Sequence, residues 1–195
     1  MGLFMSGLLV EFEKFPDERE LIGSLLIAYG EIEFALLACI DSVLWQNLET
    51  TTRVLFRVQG EGARINVADA ILRPEYQKVN LEGIWGNALG AIRLCKTIRN
   101  QYAHCHWVLI DEALHFLSFD EAAQQVEGNI DVRYRQVDVS LLQDQMAYFE
   151  YGIATIYFLV FEYEKRVGRR SSHDVELPKS MAAPPLYSRI RSSGE

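Results

Sequence analysis

From Pro16-Asp17 onward, Leu21, Leu25, Ile32, Leu36, Cys39 and Val43 recur three, four or seven positions apart. That is the repeat of one face of an α-helix sustained over about seven turns. A strand, whose side chains alternate between two sides, does not keep such residues together. Pro16-Asp17 reads as a helix start, and Glu18 and Glu20 complement the positive end of the backbone dipoles in its first turn. Gly23 and Gly30 lie inside this helix, where each is about 1 kcal/mol less favourable than alanine, so they are expected to mark close neighbours.

The same period organises most of the remaining chain. Thr50 to Phe56 and Ala63 to Leu72 make a second, broken helical segment, expected to end at Pro74, whose ring cannot continue a helix. Leu81, Ile84, Trp85, Ala88, Ile92, Cys95, Ile98 and Tyr102 define a third helix from about Asn80 to about His104. There the period shifts. Trp107 to Ile110 and Leu114 to Phe119, joined by the acidic Asp111-Glu112, read as two short strands around a tight turn. Ser140 to Tyr163 returns to helix and is rich in tyrosine and phenylalanine, which suits either the centre of a bundle or an oligomer interface.

From Lys165 the chain becomes basic and rich in proline and serine. The expected organisation is therefore a mainly all-α bundle of about four to five helices over residues 1–166, with a small inserted β-hairpin near 107–119, and a flexible basic tail over 167–195. With 49% hydrophobic and 11% aromatic residues, the 195-residue chain has enough apolar material for a packed core.

Several classes are disfavoured. The apolar stretch from Ser24 to Trp45 carries Glu31, Glu33 and Asp41, and Gly152 to Phe161 is too short to span a bilayer, so no membrane association is expected. The first ten residues lack the basic start and small-residue cleavage site of a signal peptide, although they fit the short Met-Gly-x-x-x-Ser lipidation pattern that arises often by chance. Cys39, Cys95 and Cys105 are odd in number and apolar in setting, as expected of free thiols in the cytoplasm. There is no glycine-rich phosphate loop and no paired Cys-x-x-Cys spacing, so no cofactor and no metal are expected; His104-Cys105-His106 offers ligand atoms without a convincingly spaced third partner.

The formal charge of −8 is unevenly spread: −7 over residues 1–50, +4 over 51–107, −9 over 108–164 and +4 over 165–195. Such a chain repels nucleic acid at long range but can still hold phosphate on a local basic strip. Arg53, Arg57, Arg64 and Arg73 are expected to balance acidic neighbours on solvated helix faces, and Arg166, Arg169 and Arg170 either recruit RNA or add solubility.

One stretch concentrates chemistry. Arg99, Asn100 and His104 fall within six residues at the end of the third helix. Asn100 and His104, four apart, share a helix face, with Arg99 one step round it, so the three can converge on one anion. A guanidinium matches phosphate through two parallel hydrogen bonds, and an imidazole can give or accept a proton near neutral pH. Cys105, flanked by two histidines, reads as an activated thiolate or a buried inert thiol.

Arg99-Asn100 followed, after three intervening residues, by His104 resembles the motif of the HEPN superfamily (higher eukaryotes and prokaryotes nucleotide-binding), in which an arginine and a polar residue precede a histidine late in a long helix of a helical bundle. The resemblance implies a homodimeric, metal-independent endoribonuclease of toxin or defence type, paired with an antitoxin or other protein partner. It implies that His104 moves a proton at the ribose 2′-hydroxyl or the leaving oxygen, that Arg99 stabilises the charged phosphorane, and that Asn100 orients phosphate or His104. Arg93, Lys96, Tyr102 and His106 are then candidates for contacts to RNA. Some family toxins carry a tyrosine two positions after the histidine as a modification site; this chain has His106 there. The alternative from another class is a non-catalytic helical module that dimerises or binds a nucleotide or protein partner.

Overall fold

The computed structural model describes residues 12–45, 47–124 and 131–192. The N-terminal stretch considered above for a signal peptide or lipidation lies outside them. In chain order the elements are α1 (Pro16–Leu44), α2 (Leu48–Arg57), α3 (Glu61–Lys78), α4 (Glu82–Ala103), β1 (His106–Ile110), β2 (Ala113–Leu117), α5 (Phe119–Ala123), β3 (Arg133–Gln136), α6 (Val139–Arg166) and β4 (Arg189–Ser192). The fold is mainly helical with one small sheet, as the periodicity dictated. The sheet is larger than the expected hairpin: four antiparallel strands in the order β1-β2-β3-β4.

The chain divides into two compact units, to both of which α1, α4 and α6 contribute. The first draws on Met1–Ile27, Thr97–Ala147 and Pro184–Glu195 and holds the sheet. Its hairpin pairs His106 with Leu117 and Ile110 with Ala113, leaving Asp111 and Glu112 as a two-residue loop. Both loop residues have positive φ, 50° and 59°, the left-handed geometry that matches the twist of adjoining strands. Tyr102, Trp107 and Phe116 form an aromatic core whose ring centroids lie 5.6–5.8 Å apart. Each ring buried there contributes about 1.5–3 kcal/mol of hydrophobic stabilisation. The stretch after Lys165, read from composition as a tail, supplies β4, which pairs with β3 from Gln136↔Arg189 to Arg133↔Ser192.

The second unit, Ala28–Lys96 and Tyr148–Ala183, is helical. Tyr76 is fully buried, 5.7 Å from the Trp85 ring and 5.5 Å from Tyr163, while Trp85 Nε1 donates to Asp69 Oδ1 at 2.8 Å. These contacts explain a departure from expectation: α3 does not stop at Pro74 but continues to Lys78. Proline removes one helical hydrogen bond, yet Leu72 and Tyr76, both fully buried, anchor the turn on either side of it.

A second departure concerns glycine. Among the described residues, a Cβ placed on Gly23 or Gly30 would meet nothing within 4 Å, so these two positions do not mark close neighbours there. Gly62 and Gly152 do: a Cβ would stand 3.5 Å from Lys96 Nζ at the first and 3.6 Å from the Ala91 Cβ at the second. The aromatic α6 is central here, burying Tyr148, Phe149 and Tyr163. The basic residues also find partners: Arg53 pairs with Glu49, Arg64 with Glu33 at 2.6 Å and Arg73 with Asp69 at 2.8 Å. After α6, Arg166 Nη1 donates to the Val79 carbonyl at 2.6 Å, Arg169 donates to the Ser42 carbonyl with its guanidinium 4.4 Å over Trp45, and Arg170 pairs with Glu164.

Among the described residues α1 is the one helix long and apolar enough, by length and composition, to cross a membrane. In the protein it buries Leu25, Tyr29, Ile32, Ala35, Leu36 and Cys39.

Candidate functional site

The end of α4 borders a cleft of about 380 Å³ in the sheet-bearing unit. Asn100 lies in the last turn of α4 and His104 just beyond it, where the His104 amide still donates to the Asn100 carbonyl at 3.2 Å. That final helical turn keeps the two side chains on one face, and both line the cleft. Asn100 is half-buried and His104 exposed.

Opposite them stand residues from three other segments. Ser118 accepts a hydrogen bond from the Glu121 amide at 3.3 Å, caps α5 and so brings Glu121 to the rim. β3 pairs with β2 so that Arg135 faces Phe116, and the guanidinium lies 5.8 Å from the Phe116 ring. Arg135 Nη2 donates to both carboxylate oxygens of Glu121, at 2.6 and 2.5 Å. Tyr187, just before β4, presents its ring 5.6 Å from the same guanidinium.

Hydrogen bonds from Gln101 and Gln145 and to Gln136 and Asp138 tie down the wall carrying Tyr187. Gln145 donates to the Pro185 carbonyl at 2.9 Å and Gln101 to that of Leu186 at 2.9 Å. The Ser188 amide donates to the Gln136 carbonyl at 2.9 Å and the Ser188 hydroxyl to Asp138 Oδ2 at 2.5 Å.

The structure thus brings Asn100 and His104 together in the cleft and sets Arg99 beside them, its Nη1 donating to Asn100 Oδ1 at 2.8 Å. With its oxygen so engaged, the Asn100 amide is oriented. The residues proposed to touch RNA fare differently. Tyr102 is 4% exposed and its hydroxyl donates to Gln145 Oε1 at 2.7 Å, so it supports the cleft from beneath; burial pushes its phenol upward, the hydrogen bond to Gln145 only partly opposing this. His106 does not line the cleft and packs on Phe119, with ring centroids 4.7 Å apart. Arg93 and Lys96 belong to the helical unit and do not line the cleft.

Of the two readings of Cys105, the structure supports the inert thiol. Its Sγ donates to the Tyr102 carbonyl at 3.5 Å, and burial pushes the thiol up to about 12. Among the described residues, no three His, Cys, Asp or Glu side chains are grouped to hold a metal ion.

Glu121, Arg135 and Tyr187 were not singled out from sequence. One signal was present: Ser118-Phe-Asp-Glu121 has the spacing of a helix capping box. Nothing local points to Arg135 or Tyr187, which reach the cleft through strand pairing. No protein-family model, curated protein or solved structure matches the chain. The HEPN resemblance therefore rests on Arg99, Asn100 and His104 themselves.

Proposed function

We propose that the protein binds RNA at this cleft and cleaves it without a metal ion, acting as a cytoplasmic homodimer of toxin or defence type. The observation that carries the reading is the convergence of Asn100 and His104 on one cleft, with the Arg99 guanidinium hydrogen-bonded to Asn100. In the reaction the ribose 2′-oxygen attacks the adjacent phosphorus, His104 takes the hydroxyl proton, and the bond from phosphorus to the 5′-oxygen breaks. The leaving 5′-oxygen must gain a proton, and in a homodimer the second His104 supplies it. Arg99 offsets the charge developing on the phosphorane and Asn100 donates to a non-bridging oxygen. The products are a 2′,3′-cyclic phosphate and a 5′-hydroxyl.

The test is incubation of the purified chain with mixed-sequence RNA in EDTA, beside the His104→Ala form. Cleavage by the wild type, leaving cyclic phosphate ends, and a loss of at least about a hundredfold in the variant are expected. His104 is exposed, so circular dichroism should show the variant folded. No cleavage by the wild type, or equal cleavage by both, would overturn the reading.

A second reading, a non-catalytic module that dimerises or docks a protein partner, is favoured by one observation. In the helical unit the large apolar side chains Phe34, Leu44, Trp45, Leu48, Val54 and Phe56 are 41–64% exposed. Exposed apolar area of this kind is common at interaction surfaces.

A further inference from the structure

Phe116 and Arg135 line the cleft at the end of α4, on one face of the sheet. Their strand neighbours His115 and Gln136 belong to the opposite face, because successive residues of a strand alternate. There His115 of β2 pairs with Gln136 of β3, and Gln136 with Arg189 of β4. Directly paired residues share a face, so the three form one row across the sheet. Together with Ile110 and Asp111 they line a separate cleft of about 380 Å³. We infer that this cleft binds a phosphorylated sugar, with the phosphate on Arg189 and Gln136 and the sugar hydroxyls on His115 and Asp111. None of these residues takes part in the RNA chemistry proposed for Asn100 and His104, so the two sites are independent.

Two groups in the row await a partner. Arg189 is exposed, and its guanidinium makes no hydrogen bond or ion pair with the described residues. His115 is 4% exposed, and its Nδ1 lies 3.0 Å from the Ala113 carbonyl. A carbonyl oxygen only accepts, so Nδ1 carries the hydrogen and Nε2 of the neutral ring keeps a lone pair. That lone pair has no partner among the described residues, yet Nε2 is not sealed from solvent. A polar atom so nearly enclosed is costly until a donor reaches it.

Charge decides which end of a ligand goes where. Arg189 stands on β4, whereas the Asp111 carboxylate sits in the turn between β1 and β2, across the sheet from it. An anion is drawn to the first and repelled by the second, which seats it on the β4 side. A phosphate monoester carries close to two negative charges near neutral pH and three acceptor oxygens, enough for the guanidinium fork and for the amide of Gln136 beside it. β2 and β4 lie two strand spacings apart, about 10 Å, so His115 Nε2 meets a different part of the same ligand. Nε2 and the Asp111 carboxylate both accept hydrogen bonds, and sugar hydroxyls donate them. Inorganic phosphate does not span that distance, and a neutral sugar leaves the guanidinium unmet. The volume of about 380 Å³ lies within the roughly 300–1,000 Å³ typical of small-molecule sites.

Titration calorimetry of the full chain with ribose 5-phosphate, inorganic phosphate, ribose and adenosine 5′-monophosphate tests the site. The wild type should bind ribose 5-phosphate about tenfold or more tightly than either inorganic phosphate or ribose. Arg189→Gln should weaken ribose 5-phosphate by about tenfold or more, the loss of a charge-assisted hydrogen bond. His115→Phe keeps the ring and removes the acceptor, so it should weaken ribose 5-phosphate about fivefold or more and leave inorganic phosphate unchanged. Adenosine 5′-monophosphate binding more tightly than ribose 5-phosphate would identify a nucleotide as the source of the phosphorylated sugar, and equal or weaker binding a free sugar phosphate. No binding of ribose 5-phosphate, or affinity no better than that of inorganic phosphate or ribose, would overturn the inference, and this wild-type comparison decides even where a variant fails to fold. Loss of ribose 5-phosphate binding in the His104→Ala form would also overturn it, by placing the ligand in the other cleft. Binding retained by a chain that cuts no RNA would leave this site standing and the nuclease reading rejected.

Discussion

Glu162 on α6 accepts hydrogen bonds from Arg166 Nε at 2.7 Å and His173 Nε2 at 2.8 Å, with Lys165 Nζ 3.6 Å away. Burial disfavours its charged form, but the hydrogen bonds from Arg166 and His173 and the neighbouring positive charges outweigh burial and hold the carboxyl down to about 2. In the unfolded chain the group returns to about 4.5. The folded-state value is the lower one, so the stabilisation is complete above about 4.5 and is lost as pH falls from there toward 2. Melting wild type and Glu162→Gln across this range should show the wild type more stable at pH 6 and the gap closing by pH 2. A gap that does not change with pH would mean that the charge of Glu162 contributes nothing. His173 closes the arrangement between Phe158 and Phe161, with its Nδ1 buried and, among the described residues, without a hydrogen-bond partner.

At the scale of elements, α3 carries a proline that its packing overrides. Pro74→Ala restores a backbone donor in the helix interior and removes the ring's clash with the preceding turn. It should raise the unfolding free energy by about 1–3 kcal/mol, read from urea denaturation. A destabilised variant would show that the proline bend is needed to seat Tyr76. The long helices were legible because their period is local: α1, α4 and α6 can each be read from their own residues. The hairpin was legible for the same reason, since β1 and β2 flank their own turn. β3 and β4 were not. Arg-Tyr-Arg-Gln and Arg-Ile-Arg-Ser are four-residue segments whose strand character comes from partners far along the chain, and strand preference depends strongly on such context. The candidate site divides in the same way. Asn100 and His104 declare themselves by helical spacing, whereas Glu121, Arg135 and Tyr187 meet through cross-strand pairing and a helix cap.

For the molecule as a whole, the net charge of −8 works against long-range attraction of RNA. Arg135 in the cleft and Arg99 beside it are the guanidinium groups at the site, and both are hydrogen-bonded to neighbours. Single-stranded RNA affinity falls with salt by roughly 0.7 log units per log unit for each phosphate neutralised. Anisotropy titrations of labelled RNA with the His104→Ala form should therefore give a shallow slope, about −1 to −2. A slope of about −4 or steeper would place the RNA on a broader basic surface elsewhere.

The wall that bears Tyr187 has a consequence for the order in which the site comes into being. Asn100, His104, Glu121 and Arg135 are all synthesised well before residues 185–192, and β4 can join β3 only once those later residues have emerged from the ribosome. Until then the cleft lacks the wall that carries Tyr187, so its completion waits on the last strand.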